Sequence, residues 1–268
     1  VTGRTEGTEG TEGGEGAGRA EQAGALEENT VAIVRLGWAR SLGLPDDALA
    51  ARVVEVPRDD VVSVVRLFGT VVAVGPAWFL DDPAGWHLDG PALLRGVAAR
   101  AGTRPRLLGA AALAYADAYV EHPGLSEVEV SDEPSALAEV VRRCPADDVG
   151  ESGLTEMERV LVTLADGSDE GLAAAGHDVR GGLVAQLGVL TPPERRGQGH
   201  GLLAAALATN DALDAGLVAQ WRCRTGHDAS LRLAARLGYV PAGSQTTVLL
   251  GAPAGGGAGR ATGPADRP

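Results

Sequence analysis

Apolar positions in residues 30–42, TVAIVRLGWARSL, recur at Val31, Val34, Leu36, Trp38 and Leu42, so the spacing predicts a helix with one buried side. Gly43 ends it and Pro45 bars its continuation. The period then shortens to two. RVVEVP, SVVRLF and TVVAVG read as short strands, the last two forming a hairpin about Phe68 and Gly69. PALLRGVAARAG (91–102) predicts a helix opened by Pro and stopped by Gly, and PRLLGAAALAYA a buried strand. Residues 30–120 thus read as an α/β half with its own core.

After the Pro-Gly pair at 123–124, a second series begins. SEVEVSD alternates as a strand, EPSALAEVVRRC as a helix, and ADDVGESGL is a polar loop or short helix. ERVLVTLAD and GLAAAGHDV are strands around the turn Asp166-Gly167-Ser168, and LVAQLGVLT is a further strand. A glycine-rich segment, PPERRGQGHGLL, opens the next helix; LVAQWRC, the helix DASLRLAARLGYV and the strand GSQTTVLLG follow, the last expected to finish the sheet. Four segments result: an acidic, Gly-rich disordered tail (1–28), the N-terminal half (29–122), a second domain (123–251) and a Gly/Pro/Ala-rich disordered tail (252–268).

Gly197, Gly199 and Gly201 remove side chains where a backbone can curl around a ligand, and the following helix turns its unpaired N–H groups to the same point. Such a loop is an anion cradle, with Arg195 and Arg196 beside it. It carries neither the Lys-Ser/Thr pair of a Walker loop nor the dinucleotide spacing, so a different phosphate ligand is called for. The net charge of −13 is concentrated partly in the first 28 residues, where seven glutamates face Arg4 and Arg19. No basic stripe with interleaved aromatics argues for a nucleic-acid partner, and no long apolar run argues for a membrane. Cys144 and Cys223 stand far apart without metal-type spacing, so no metal site is expected and a reducing cytoplasm is the default compartment.

The loop and its flanks resemble the GNAT superfamily of acyl-CoA-dependent N-acetyltransferases. The family's Gln/Arg-x-x-Gly-x-Gly/Ala pattern is met by Arg196, Gly199 and Gly201 after Pro193, and LVAQWRC followed by a helix closing on Leu-Gly-Tyr is similar to the family's next block. The resemblance implies an α+β fold: a mixed, mostly antiparallel central sheet flanked by helices, with the N-terminal half either a degenerate second copy or a family-specific extension. It implies acetyl-CoA as co-substrate and a small-molecule or peptide amine as acceptor, in a monomer or homodimer. Val189, Leu190 and Thr191 would pair with the pantetheine arm through main chain, and Arg196, Gly197, Gln198, Gly199, His200, Gly201 and Leu202 would hold the pyrophosphate, with Ser230 also on the cofactor side. A backbone N–H near Leu187 to Val189 would polarise the thioester carbonyl.

The chain departs from the better-known members in its proton-transfer groups. Val184-Ala185-Gln186 stands where some carry a glutamate, and Ala234 where many carry an acid tyrosine. His227, His177 and Asp178 remain as catalytic candidates, each also readable as structural. Asp147, Asp148 and Glu151 are candidates for binding an amine, and Trp221 for walling the acceptor side. Trp38, Trp78, Phe79 and Trp86 line a groove or anchor a core. Two functions follow: an N-acetyltransferase working by direct attack in a ternary complex, or a catalytically silent acyl-CoA-binding module.

Overall fold

The computed structural model describes residues 25–251. The tails 1–28 and 252–268 lie outside it except for 25–28, where Glu28 opens the first helix. In chain order the elements are α1 (Glu28–Ser41), β1 (Val53–Pro57), β2 (Val61–Leu67), β3 (Thr70–Gly75), α2 (Ala77–Leu80), α3 (Gly90–Ala98) and β4 (Arg106–Ala116). There follow β5 (Val130–Ser131), α4 (Pro134–Arg142), α5 (Ala146–Ser152), β6 (Arg159–Leu164), β7 (Gly171–Arg180) and β8 (Val184–Leu190). The chain closes with α6 (His200–Asp214), β9 (Val218–Arg224), α7 (Asp228–Arg236) and β10 (Val240–Leu249).

All ten strands join one sheet in the order β1-β3-β2-β10-β4-β9-β8-β7-β6-β5. Only β1–β3 and β8–β9 pair in parallel; the other pairs are antiparallel. The mixed α+β class with a mostly antiparallel sheet is therefore the observed one. GSQTTVLLG does not finish the sheet as expected. As part of β10 it lies inside, pairing with β2 on one side and β4 on the other. Its alternation suits an inner strand as well as an edge, so the pattern alone left its neighbours open.

The sheet also runs through the boundary expected at 122, since β9 pairs with β4 and β10 pairs with β2 and β4. Nor is the first half's core its own. Under α1, Val34, Leu49, Val65 and Leu67 pack with Leu113, Tyr115, Val184 and Val218, which come from both sides of that point. SEVEVSD pairs only through Val130 and Ser131 at the sheet's edge.

Strand alternation sends the two sets of side chains to opposite faces. On one face lies α6, whose Ala204, Ala205, Ala208 and Ala212 meet Ala173, Ala175, Ala185 and Ala219. Small residues on both partners let the helix axis come close to the sheet, and that fixes where its first turn ends. The opposite face carries α1, and beyond it α4, whose Val140 packs with Leu154, Val162, Ala174 and Leu190. Phe79 and Trp86 anchor a further cluster with Leu93 and Val97 of α3.

His177 is a structural group in this arrangement. It lies within β7 on the α6 face, is 7% exposed, and places Nδ1 3.7 Å from an Asp211 oxygen, with no hydrogen-bond partner for that nitrogen among the described residues. Burial holds its pKa below the ordinary 6.5, against the opposing pull of Asp211. The unfolded chain therefore takes up a proton near 6.5 while the native state does not. Stability is expected to be unaffected by this group above that pH and to fall as the pH drops below it, toward the lower native value. Thermal melts of the wild type and of His177→Gln between pH 7.5 and 5.5 check this: the variant should show the shallower decline.

Candidate functional site

The parallel pairing of β8 with β9 covers only Val184–Gln186 against Val218–Gln220. Past Gln186 and Gln220 the strands part, although each keeps its other neighbour: β8 stays paired with β7 to Leu190, and β9 with β4 to Arg224. Leu187 to Leu190 and Trp221 to Cys223 thus border a gap and line a cleft of about 570 Å³. The main-chain groups facing that gap have no strand partner across it. A chain-like ligand can supply the missing ladder.

The glycine loop closes one end of the cleft. After β8, Pro193–Arg195 make a turn that Arg143, the C-cap of α4, ties down through Glu194 at 2.7 Å, while Arg195 pairs with Glu170 at 2.5 Å. Gly199 then adopts φ 91° as the N-cap of α6, a conformation that costs a side-chain-bearing residue about 1–2 kcal/mol. Gly201 lines the cleft, and a Cβ there would lie 2.7 Å from the Thr191 hydroxyl. The helix's first N–H groups and its positive dipole end meet there.

The cationic side chains are divided between structure and opening. Arg196 is satisfied by the protein: Nη2 donates to Asp148 at 2.6 Å and Nε to the Thr191 carbonyl at 3.0 Å. Arg195, paired with Glu170 through Nη2, lines the cleft with its Nε buried and unpartnered among the described residues. Arg232 and Arg236, one turn apart on α7, also line it, and neither forms an ion pair among the described residues. A buried unpaired donor, two unpaired guanidinium groups and an N-terminal helix turn fit a polyphosphate better than a neutral ligand.

Of the cofactor residues expected from sequence, Val189, Leu190, Thr191, Arg196, Gly197, Gly199, Gly201, Leu202 and Ser230 all border the cleft. Gln198 and His200 do not; Gln198 instead donates to the Glu194 carbonyl at 2.8 Å and stiffens the loop. Trp221 is a wall, 6% exposed, with its indole N–H donating to Ser230 Oγ at 3.0 Å. Asp147 is exposed and away from the cleft, whereas Asp148 and Glu151 line it. Both of these already have partners: Asp148 pairs with Arg196 at 2.6 Å, and Glu151 with Arg224 at 3.4 Å, with His227 Nδ1 3.5 Å away. His227 is in the cleft; His177 and Asp178 are not, and Asp178 pairs with Arg180 at 2.9 Å.

Sequence reasoning passed over Arg222, Cys223, Arg232 and Arg236. The four-residue spacing of the last two, on one side of a short helix, was the available signal. Cys223 is buried, which raises its thiol pKa despite the Ser230 hydroxyl, so it is poorly suited to act as a thiolate nucleophile.

No protein-family model matches the chain, and no curated protein matches it either. Solved structures do. One is an acetyltransferase of the GNAT family from Novosphingobium aromaticivorans, at 21% identity and TM-score 0.42, over 54% of this chain and 66% of that one. A GCN5-related N-acetyltransferase from Kribbella flavida matches at 22% and 0.43, over 59% and 63%. A GCN5-related N-acetyltransferase-like protein from Streptococcus suis matches at 19% and 0.44, over 70% and 83%. The likeness is to the GNAT fold. It extends over less than two thirds of the first two structures' own lengths. At these identities the likeness is one of fold alone. Within that fold, β8 and β9 part after Gln186 and Gln220, and the glycine loop opens α6 at the mouth of the gap.

Proposed function

We propose that the protein transfers an acetyl group from acetyl-CoA to a primary amine by direct attack in a ternary complex. One observation carries this: two parallel strands part after Gln186 and Gln220, and the cleft they open ends at a glycine-capped helix N-terminus. Acetyl-CoA supplies an activated thioester acyl group. In this reading Gly197 to Leu202, with Arg195, Arg232 and Arg236, hold its phosphates, and the main chain of Val189 to Thr191 pairs with its pantetheine arm.

Proton transfer is assigned to His227. It is the histidine of the cleft, and Glu151 lies 3.5 Å from its Nδ1. A carboxylate there orients the ring, leaving the other nitrogen for exchange with the acceptor or the departing thiol. No helix among the described residues is long and apolar enough to cross a membrane. A reducing cytoplasm, with Cys144 and Cys223 free, is the compartment this reading implies.

The test is calorimetric titration of acetyl-CoA into the intact protein, followed by free-thiol release across an amine panel. Saturable binding with thiol released by one amine class supports the transferase. Binding without turnover favours a silent acyl-CoA-binding module, and no binding removes the reading. His227→Gln is expected to lower kcat for thiol release about 100-fold while acetyl-CoA still binds. An unchanged kcat would take His227 out of the mechanism.

A further inference from the structure

A second cavity, of about 370 Å³, lies on the opposite face of the sheet, between the last turn of α1 and the strands beneath it. Its lining includes Trp38, Arg180, Gln186, Gln220, Arg222 and Gln245, and among the described residues neither aspartate nor glutamate borders it. Arg222 borders this cavity and the cofactor cleft alike, just past the point where β8 and β9 part. Arg222 therefore stands between the two spaces, beside the inner end of the cleft.

The polarity of this cavity follows from a relay of hydrogen bonds. The Trp38 indole N–H can only donate, and it donates to the Tyr115 hydroxyl at 2.7 Å. The hydroxyl then gives its single proton to Gln220, whose side-chain oxygen accepts at 3.0 Å. That fixes the Gln220 amide with its oxygen inward. Its NH₂ group is left without a partner among the described residues, on a residue 3% exposed that borders the cavity.

Arg222 is the second donor. Its Nε donates to Gln245 at 3.3 Å, and it has no ion-pair partner among the described residues. Desolvation, and then the nearby Arg180 cation, hold the Arg222 guanidinium below its ordinary pKa. Arg180 completes the set, with Asp178 at 2.9 Å as its counter-charge outside the lining. Two guanidinium groups, one of them paired with Asp178, and the Gln220 amide border a cavity whose own lining holds no carboxylate. Such a site selects an acceptor-only group.

We propose that this cavity binds an anionic group on the acceptor, so that the substrates are primary amines bearing a carboxylate or phosphate. The inference rests on the acetyl-transfer reading and narrows its acceptor class. It also reverses the expectation that carboxylates capture the acceptor's amine, since Asp148 and Glu151 are held by arginine and histidine.

The experiment compares thiol release from L-amino acids with that from their carboxamides, and from phosphoethanolamine with that from ethanolamine, at saturating acetyl-CoA. Carboxamides have the less basic amines, so a preference for the acids cannot come from a larger fraction of free amine. The expected result is kcat/KM higher by about 10- to 100-fold for one anionic member over its neutral twin, the size of a charge-assisted contact. Which pair discriminates names carboxylate or phosphate. In Arg180→Gln and in Arg222→Gln that preference should collapse through KM of the anionic amine.

Equal kcat/KM within both pairs, or a preference that survives both substitutions, overturns the assignment. Acetyl-CoA binding with no thiol from any anionic amine overturns it too, while leaving the cofactor cleft intact. Failure to bind acetyl-CoA, read separately by calorimetry, removes the transferase reading and this one with it.

Discussion

Gly201→Val should reduce acetyl-CoA affinity about 100-fold or more, the loss expected when one or two charge-assisted contacts cannot form. Gly201 lines the cleft at the second residue of α6, and even a Cβ there stands 2.7 Å from the Thr191 hydroxyl. Valine adds two methyl groups at that point, so either Thr191 or the loop must move, and the loop amides lose their common focus. The helix itself tolerates the change, because valine is a better helix former than glycine. Melting temperature should thus stay within a few degrees while calorimetric affinity collapses. Gly199→Val is expected to add a second cost, since φ 91° is strained for any side-chain-bearing residue. Retained affinity in both variants would show that the loop does not hold the phosphates.

Trp221→Ala should cost about 3–5 kcal/mol of stability, the range for deleting a large buried aromatic ring. Trp221 sits on β9 beside the splay, 6% exposed, packed edge-on against Tyr239 at 5.3 Å between ring centres. Its indole N–H also holds Ser230, and through it the first turn of α7, the helix that carries Arg232 and Arg236. The cavity left behind cannot close, because β9 is paired to β4 along this stretch. Denaturant unfolding should give a lower midpoint with an unchanged slope. Trp221→Phe, which keeps most of the ring and loses the hydrogen bond to Ser230, should cost much less. If both variants were equally destabilised, the hydrogen bond rather than the packing would be the dominant contribution.

Each of these residues does two jobs. Trp221 is a packing group and a cleft wall; Gly201 is a helix residue and part of the anion cradle. Arg196 is held by Asp148 and by the carbonyl of Thr191, so it braces the loop against α5 and β8 as well as adding charge. Effects on binding and on stability therefore have to be measured on the same variants.

The sequence by itself determined what short-range chemistry governs. Period-two and helical runs placed the strands and helices, because burial of one side leaves its mark every two or every three to four residues. The loop from Pro192 to Leu202 was legible because closely spaced glycines before a helix have few other physical uses. Tertiary structure alone decided the rest. It put β10 between β2 and β4, a choice that depends on pairing between strands more than a hundred residues apart. It buried His177 against α6, turned Asp148 and Glu151 into ion-pair partners, and oriented Gln220 through Tyr115 and Trp38. No local period encodes such contacts, because a side chain's charge partner and the face it meets are fixed only when distant strands settle their register.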